Sequence, residues 1–342
     1  MTSGLVHDGS PAQAAPAVEP VLTLDGVTIS ANPHGRAAYP LVTDVSLAVQ
    51  PGESVALVGE SGSGKSITAL SCIGLLPEGV AISAGRVSVS GTSILDLSRE
   101  ELRRLRGQEI SMIFQDPMTS LDPCFTVGDQ IVESVLAHRR ISTSRARELA
   151  VEMLDLVGIP EPRKRLRSYP HEFSGGMRQR VMIAGALVLR PRLLLADEPT
   201  TALDVTTQAA ILELISDLRR ELGMSVLWIS HDLGVVAQIA DRVAVMYAGE
   251  LVEVSPTRSL FSSPVHPYTR GLIASSVQGR RGDPFGFIPG SVPEPEQWPP
   301  GCRFASRCPQ HDEHACAPRQ ALRPAAVDHV HRCALSEPGV AR

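Results

Sequence analysis

Little in this chain suits it to a basic or membrane-spanning role. Only two lysines, Lys65 and Lys164, occur in 342 residues. Lys and Arg total 32 against 37 Asp and Glu, a formal net charge of -5 with a pI near 6.1. The arginines are scattered, so no basic stripe is present to follow a nucleic acid, and none is expected as a partner. No apolar run approaches the roughly 18 residues a membrane helix needs. The longest, Val181–Leu189, is broken by Gly185 and lies in a helical pattern. Met1–Pro20 has no basic region followed by an apolar core, so it reads as a disordered Ala/Pro tail rather than a secretory leader, and a cytosolic location is expected. There the six cysteines would be reduced or bound to metal. The length allows one large α/β domain with an appendage, or two domains.

Against that background, one of the two lysines sits in Gly59-Glu60-Ser61-Gly62-Ser63-Gly64-Lys65-Ser66. A glycine, four residues and Gly-Lys-Ser form a phosphate cradle if a buried strand precedes them and a helix follows. Ser54–Val58 is a nearly unbroken apolar run, and Ile67, Leu70 and Ile73 recur at helical spacing. The glycines let backbone N–H groups turn toward the β- and γ-phosphates, at the positive end of the new helix. Lys65 would meet those phosphates and Ser66 would offer its oxygen to Mg²⁺.

Other apolar strands deliver further chemistry. Ile110–Phe114 ends at Gln115, Leu193–Ala196 at Asp197 and Glu198, and Val226–Ile229 leads to Ser230 and His231. Parallel sheets collect their ligand sites at the carboxyl edge of the strands. There Gln115 is placed to touch Mg²⁺ or the attacking water, Asp197 suits a Mg²⁺ ligand, Glu198 suits polarising that water, and His231 could reach a γ-phosphate. Ser174, followed by Gly175 and Gly176, caps a helix whose bare N–H groups suit an anion. Upstream, Val21–Val49 alternates apolar runs and turns as an antiparallel sheet, in which Tyr39 could stack on an adenine ring or simply pack. Val127–Tyr169 reads as helical with a break at Gly158-Ile159-Pro160, and Val243–Tyr247 with Leu251–Val254 as a closing hairpin.

Assembled, these motifs from Val21 to about Val254 resemble the ATP-binding subunits of ABC transporters. GESGSGKS is similar to the Walker A loop, Gln115 to the Q-loop, FSGGMRQR to the signature, LLLADE to Walker B, Asp204 to the D-loop and His231 to the switch histidine. Phe173 and Met177 depart from the commoner LSGGQ. The forms FSGGMRQR, FQDPMTSLDP and HDLGVVA look like the D-type ATPases of oligopeptide, dipeptide and nickel importers. So does the HPYTR element at His266–Arg270. The resemblance implies an α/β P-loop NTPase fold with antiparallel and helical subdomains. Its expected parts are a tail at 1–20, a nucleotide-binding domain at 21–255 with a helical subdomain at about 116–178, and a Cys-rich C-terminal extension at 256–342.

It further implies head-to-tail pairing, in which ATP on Gly59–Ser66 of one domain is covered by Ser174, Gly175 and Gly176 of another, with Asp204 at the seam. The expected partners are a paralogous F-type ATPase, two separate permease subunits and an extracytoplasmic solute-binding protein, assembled at the cytoplasmic face of a bacterial membrane. Peptide import is the expected work. Import of nickel or another small solute is the alternative within the family, and a soluble ABC ATPase or a regulatory subunit without catalysis lies outside it. Four cysteines, Cys302, Cys308, Cys316 and Cys333, fall in the tail. In a reducing cytosol clustered cysteines favour a metal, and their spacing is not that of a zinc ribbon with two CxxC pairs. A Cys-Pro pair at Cys308 is familiar beside iron–sulfur ligands, and the resemblance implies a [4Fe-4S] cluster. His311, His314, His329 and His331 leave zinc as the alternative.

Overall fold

The computed structural model describes residues 19–32, 37–115, 120–200, 203–276 and 287–335. The expected tail at 1–20 therefore lies almost wholly outside the described residues, as do 116–119 of FQDPMTSLDP and residues 201–202.

Two sheets organise the chain. The first is antiparallel. Its strands β1 (Leu22–Ala31), β2 (Tyr39–Val49), β4 (Val80–Val89) and β5 (Thr92–Ser93) lie in the order β2-β1-β4-β5. The second has eight strands. Its centre is β9 (Arg242–Tyr247), β3 (Ser54–Val58), β8 (Ser225–Ser230), β7 (Leu193–Asp197) and β6 (Ile110–Ile113), side by side and parallel. On its far side β10 (Glu250–Pro256) pairs antiparallel with β9, followed by β12 (His329–His331) and β11 (Arg323–Ala326). Residues from the end of the chain thus extend the same sheet that begins at the phosphate loop.

Strand periodicity explains why the central strands read as unbroken apolar runs. Alternate residues point to opposite faces, and here both faces are covered. Ala56, Val58, Leu194, Ala196, Val226 and Trp228 pack among the helices, while Val55, Leu57, Leu193, Leu195, Leu227 and Ile229 pack against the antiparallel sheet. Each large aliphatic side chain buried this way contributes about 1.5–3 kcal/mol.

Many of the helices begin where short polar residues cap them. Helix α1 (Lys65–Cys72) leaves the phosphate loop, and α2 (Arg99–Gln108) follows the first sheet. The stretch read as helical from Val127 divides into α3 (Val127–His138), α4 (Thr143–Leu156) and α5 (Pro162–Arg165). The break at Gly158 is present, and a second one precedes Thr143, where Ser142 accepts from the Arg145 N–H and starts a new helix. Next come α6 (Gly175–Leu187), capped by Ser174, α7 (Val205–Leu222), capped by Asp204, and α8 (Leu233–Ile239), capped by Asp232. Three short helices, α9 (Thr257–Ser262), α10 (Pro267–Ser276) and α11 (Glu313–Cys316), belong to the last part of the chain. Among the described residues no helix is long and apolar enough to cross a membrane.

Candidate functional site

Gly59 follows β3, Gln115 follows β6, Glu198 follows β7 and His231 follows β8. Because those four strands are parallel and in register, with Val58 opposite Ser230 and Asp197 opposite Ile229, their ends meet at one edge. Topology therefore brings together residues that lie up to 172 positions apart, from Gly59 to His231.

Gly59, Gly62 and Gly64 all have positive φ, and two of them also meet close neighbours. At Gly59 (φ 154) a Cβ would stand 2.1 Å from the Met246 carbonyl oxygen, and Gly64 (φ 101) caps α1 in the left-handed region against Met246 and Val42. Lys65 is 6% exposed. Its Nζ donates to the carbonyls of Gly59 (2.8 Å) and Glu60 (2.9 Å) and lies 3.5 Å from Ser63 Oγ. Burial lowers its pKa, while the carboxylates of Glu198, Asp197 and Glu60 oppose that fall. The ammonium is thus pre-aimed within its own loop. The Ser66 hydroxyl donates to Asp197 Oδ1 at 3.2 Å. Burial raises the Asp197 pKa, offset in part by that hydrogen bond.

Glu198 is held from two strands. Gln115 Nε2 donates to its Oε2 at 3.0 Å, and His231 Nδ1 lies 2.8 Å from its Oε1. Its side chain is 17% exposed against 61% for His231, so the carboxylate sits behind the histidine. Its backbone is in the left-handed region (φ 44), with its N–H bonded to the Ile229 carbonyl at 3.0 Å. A non-glycine residue in that region costs of order 1 kcal/mol and persists where surrounding bonds impose it. A carboxylate so fixed and shielded can accept a proton from a water drawn toward it.

Ser174 and Gly175 are exposed, and no hydrogen bond among the described residues joins Ser174, Gly175 or Gly176 to the phosphate loop. Buried Phe173, with the Arg165 guanidinium 5.5 Å above its ring, anchors that helix start instead. Asp204 is likewise exposed and bound to Thr207, beside Val205 at 83% exposure. Tyr39, at the start of β2 opposite Ala31, is half-buried.

Reasoning from sequence missed two residues that reach the loop from the far end of the chain. Tyr268 Oη accepts the Glu60 N–H at 2.9 Å, and Arg307 bonds the Glu60 carboxylate. The HPYTR element pointed to Tyr268, though not to this contact. Nothing in the local sequence marks Arg307.

The four tail cysteines come near one another. Burial pushes the Cys302 thiol up to about 11, and neighbouring Cys316, Cys333 and Cys308 add to the rise. The Cys302 N–H donates to the Cys316 carbonyl at 2.9 Å. Yet among the described residues no group of three or more His, Cys, Asp or Glu is arranged to hold a metal ion. The expected [4Fe-4S] or zinc site thus finds no support in this arrangement. Of the histidines named as alternative ligands, one is engaged by a carboxylate. His329 Nε2 lies 2.7 Å from Glu253 Oε1, and His331 is buried with both ring nitrogens unpartnered.

A merely structural turn has no need of a buried ammonium wrapped in loop carbonyls, with a shielded carboxylate two strands away along the same edge. Both suit hydrolysis of a nucleoside triphosphate, and comparison with known proteins gives the class, an ATPase of the ATP-binding-cassette type. The ABC transporter family model matches residues 42–201, and that of the oligopeptide/dipeptide transporter C-terminal region matches residues 252–316. The dipeptide transport ATP-binding protein DppD of Bacillus subtilis is 50% identical over 297 residues, covering 85% of this chain and 88% of that protein. The oligopeptide transport ATP-binding protein AppD of the same organism is 50% identical over 277 residues, covering 80% and 84%. Among solved structures, the ATP-binding cassette MJ0796, dimeric and bound to ADP and Pi, superposes with a TM-score of 0.61 at 31% identity, covering 69% of this chain and 99% of that one. This chain belongs to the ATP-binding subunits of ABC transporters, in the oligopeptide/dipeptide branch.

Proposed function

We propose that this chain hydrolyses ATP to drive import of di- or oligopeptides through a membrane permease, to which it binds peripherally at the cytoplasmic face. One observation carries the reading: an ATP-binding cassette and the peptide-transporter C-terminal region occur in one chain, and β10, where that region begins, pairs on one side with β9 of the cassette sheet and on the other with β12, which follows the region. We assign residues 21–255 to the nucleotide-binding unit, with its helical part at about 116–178, and 256–342 to the extension.

In this reading Lys65 turns from the Gly59 and Glu60 carbonyls to the β- and γ-phosphates, and the loop N–H groups cradle them. Ser66 and Asp197 form a hydroxyl–carboxylate pair of hard oxygens suited to Mg²⁺, which Gln115 completes. Bound Mg²⁺ would neutralise charge on the phosphates. Glu198 polarises the attacking water, Gln115 and His231 hold its two oxygens, and His231 also faces the γ-phosphate. Ser174, Gly175 and Gly176 act on the nucleotide of a second ATPase chain, with Asp204 and exposed Val205 at the seam. That second chain is the F-type paralogue, beside two permease subunits and an extracytoplasmic solute-binding protein.

The finer reading of the tail, that Cys302, Cys308, Cys316 and Cys333 hold a [4Fe-4S] cluster, or Zn²⁺, rests on the donor set. Four thiols gathered from separate segments suit a soft metal, and binding would require them to deprotonate and close up.

The test of the peptide reading is uptake. Cells lacking this chain should lose uptake of labelled di- or oligopeptides while Ni²⁺ uptake persists, and Lys65→Ala should not restore it. Loss of nickel uptake alone would select the alternative substrate, and no loss of either would sink the import reading. Purification of the transporter with two identical ATPase chains would exclude the heterodimer.

A further inference from the structure

The phosphate loop is braced from outside by a segment some 240 residues further along the chain. Between Cys302 and Cys308 stand two buried arginines, Arg303 and Arg307. The Arg307 guanidinium forks onto the Glu60 carboxylate, Nη1 to Oε2 at 2.6 Å and Nη2 to Oε1 at 3.0 Å. Its Nε donates to the Pro289 carbonyl at 2.7 Å. Glu60 is the second residue of the loop, and its own N–H donates to Tyr268 Oη at 2.9 Å. Side chain and backbone of one loop residue are thus both fixed from beyond residue 250. Arg303 works one step removed. It donates to the Ala248 carbonyl and, at 2.9 Å, to Thr43 Oγ1, while the adjacent Gly249 N–H donates to the carbonyl of buried Ser63 at 2.8 Å.

Electrostatics gives the brace a consequence for binding. Glu60 puts a carboxylate in a loop that receives a polyphosphate, and left uncompensated it would repel that ligand. A bidentate guanidinium neutralises it and fixes its direction. The pair is mostly withdrawn from water, with side-chain exposures of 5% and 28%, so screening is incomplete.

We infer that Arg307 and Tyr268 are positioning residues for nucleotide binding: they neutralise and anchor Glu60, so that the loop meets the phosphates without an opposing charge. The inference rests on Gly59–Ser66 being the ATP site.

The experiment measures MgATP turnover and equilibrium binding of a fluorescent ATP analogue with the full chain, for wild type, Arg307→Ala, Glu60→Gln/Arg307→Ala, Tyr268→Phe and Lys65→Ala. Thermal unfolding is recorded for each. Arg307→Ala should raise KM and Kd roughly tenfold, with the change falling on KM rather than kcat. The double variant should recover to within about threefold of wild type, because it removes the carboxylate that Arg307 compensated. Arg307 needed only to fold the tail would leave the double variant as weak as the single one, and that result overturns the inference. Should Arg307→Ala fail to fold, Tyr268→Phe keeps Arg307 and removes only the acceptor of the Glu60 N–H. It should raise KM about threefold, and an unchanged KM in the folded variant is equally fatal. Lys65→Ala separates the two readings. Loss of binding there with Arg307→Ala and Tyr268→Phe silent refutes the brace alone, whereas retained binding in Lys65→Ala refutes the site itself.

Discussion

Glu198→Gln tests the hydrolytic site most directly, because the structure says which contacts survive. Both oxygens of Glu198 are in use, at 3.0 Å from Gln115 Nε2 and 2.8 Å from His231 Nδ1. A glutamine keeps one acceptor and turns the other into a donor. The amide oxygen can still accept from Gln115, and the new N–H₂ can face His231 once that ring presents a bare Nδ1. Shape and backbone are retained, so the fold should be unaffected. Lost are the negative charge and the capacity to take a proton. A positioned general base contributes typically 10²–10⁴-fold, so phosphate release from the assembled transporter should fall at least a hundredfold. Binding should move the other way. Glu198 is the largest carboxylate contribution opposing the burial-driven fall of the Lys65 pKa, but in the proposed site it would also repel the γ-phosphate, which would supply Lys65 with a replacement anion. ATP affinity should therefore be equal to wild type or tighter. Single-turnover phosphate release measured beside nucleotide binding separates the two effects. Hydrolysis within threefold of wild type would remove Glu198 from the role of base, and a tenfold loss of ATP binding would show that its charge holds the site together.

Two further outcomes are expected. Burial lowers the His266 pKa to about 4, and its Nδ1 accepts the Tyr268 N–H at 3.1 Å, which requires the neutral ring; Glu253, His331 and Arg270 are the charged neighbours acting on it. The unfolded chain takes up this proton first, so the associated stability is whole above about pH 6.5 and lost as pH falls toward 4. By linkage the loss is about 2 kcal/mol between pH 7.5 and pH 5. His266→Asn keeps a side-chain acceptor and should flatten the urea-denaturation difference between those pH values by that amount; an unchanged difference would exclude His266 as its source. For the cysteines, anaerobic purification with iron, sulfide and zinc analysis is decisive. About four irons per chain with a broad band near roughly 400 nm, lost in Cys308→Ser, would establish the cluster. Stoichiometric zinc would select the alternative, and no metal would leave the thiols as packing.

How far the fold was legible depended on the range of the interaction. The phosphate loop, its strand and its helix are specified within about twenty residues, since glycine positions, an apolar run and helical spacing all act locally. Gln115, Asp197, Glu198 and His231 were readable as strand-end residues for the same reason, and the rule that parallel strands share an edge placed them together. The second helix break was missed because Ser142 lies among other polar residues and only its bond to the Arg145 N–H distinguishes it. The cysteine expectation shows the opposite limit. Their positions in the chain bring the four thiols near one another, but whether they close into a metal site depends on side-chain placement, charge and solvation that spacing does not encode.

By itself the sequence determined the chemistry of this protein: a lysine in a glycine loop, carboxylates after a buried strand, and a histidine after another. Each follows from short-range sterics and periodicity. Only the tertiary structure decided how the chain closes on itself. That β12 joins β10, that Tyr268 accepts the Glu60 N–H, and that Arg307 grips a carboxylate 247 positions earlier depends on burial that brings distant segments together. There a buried charge must find its partner wherever the fold presents one.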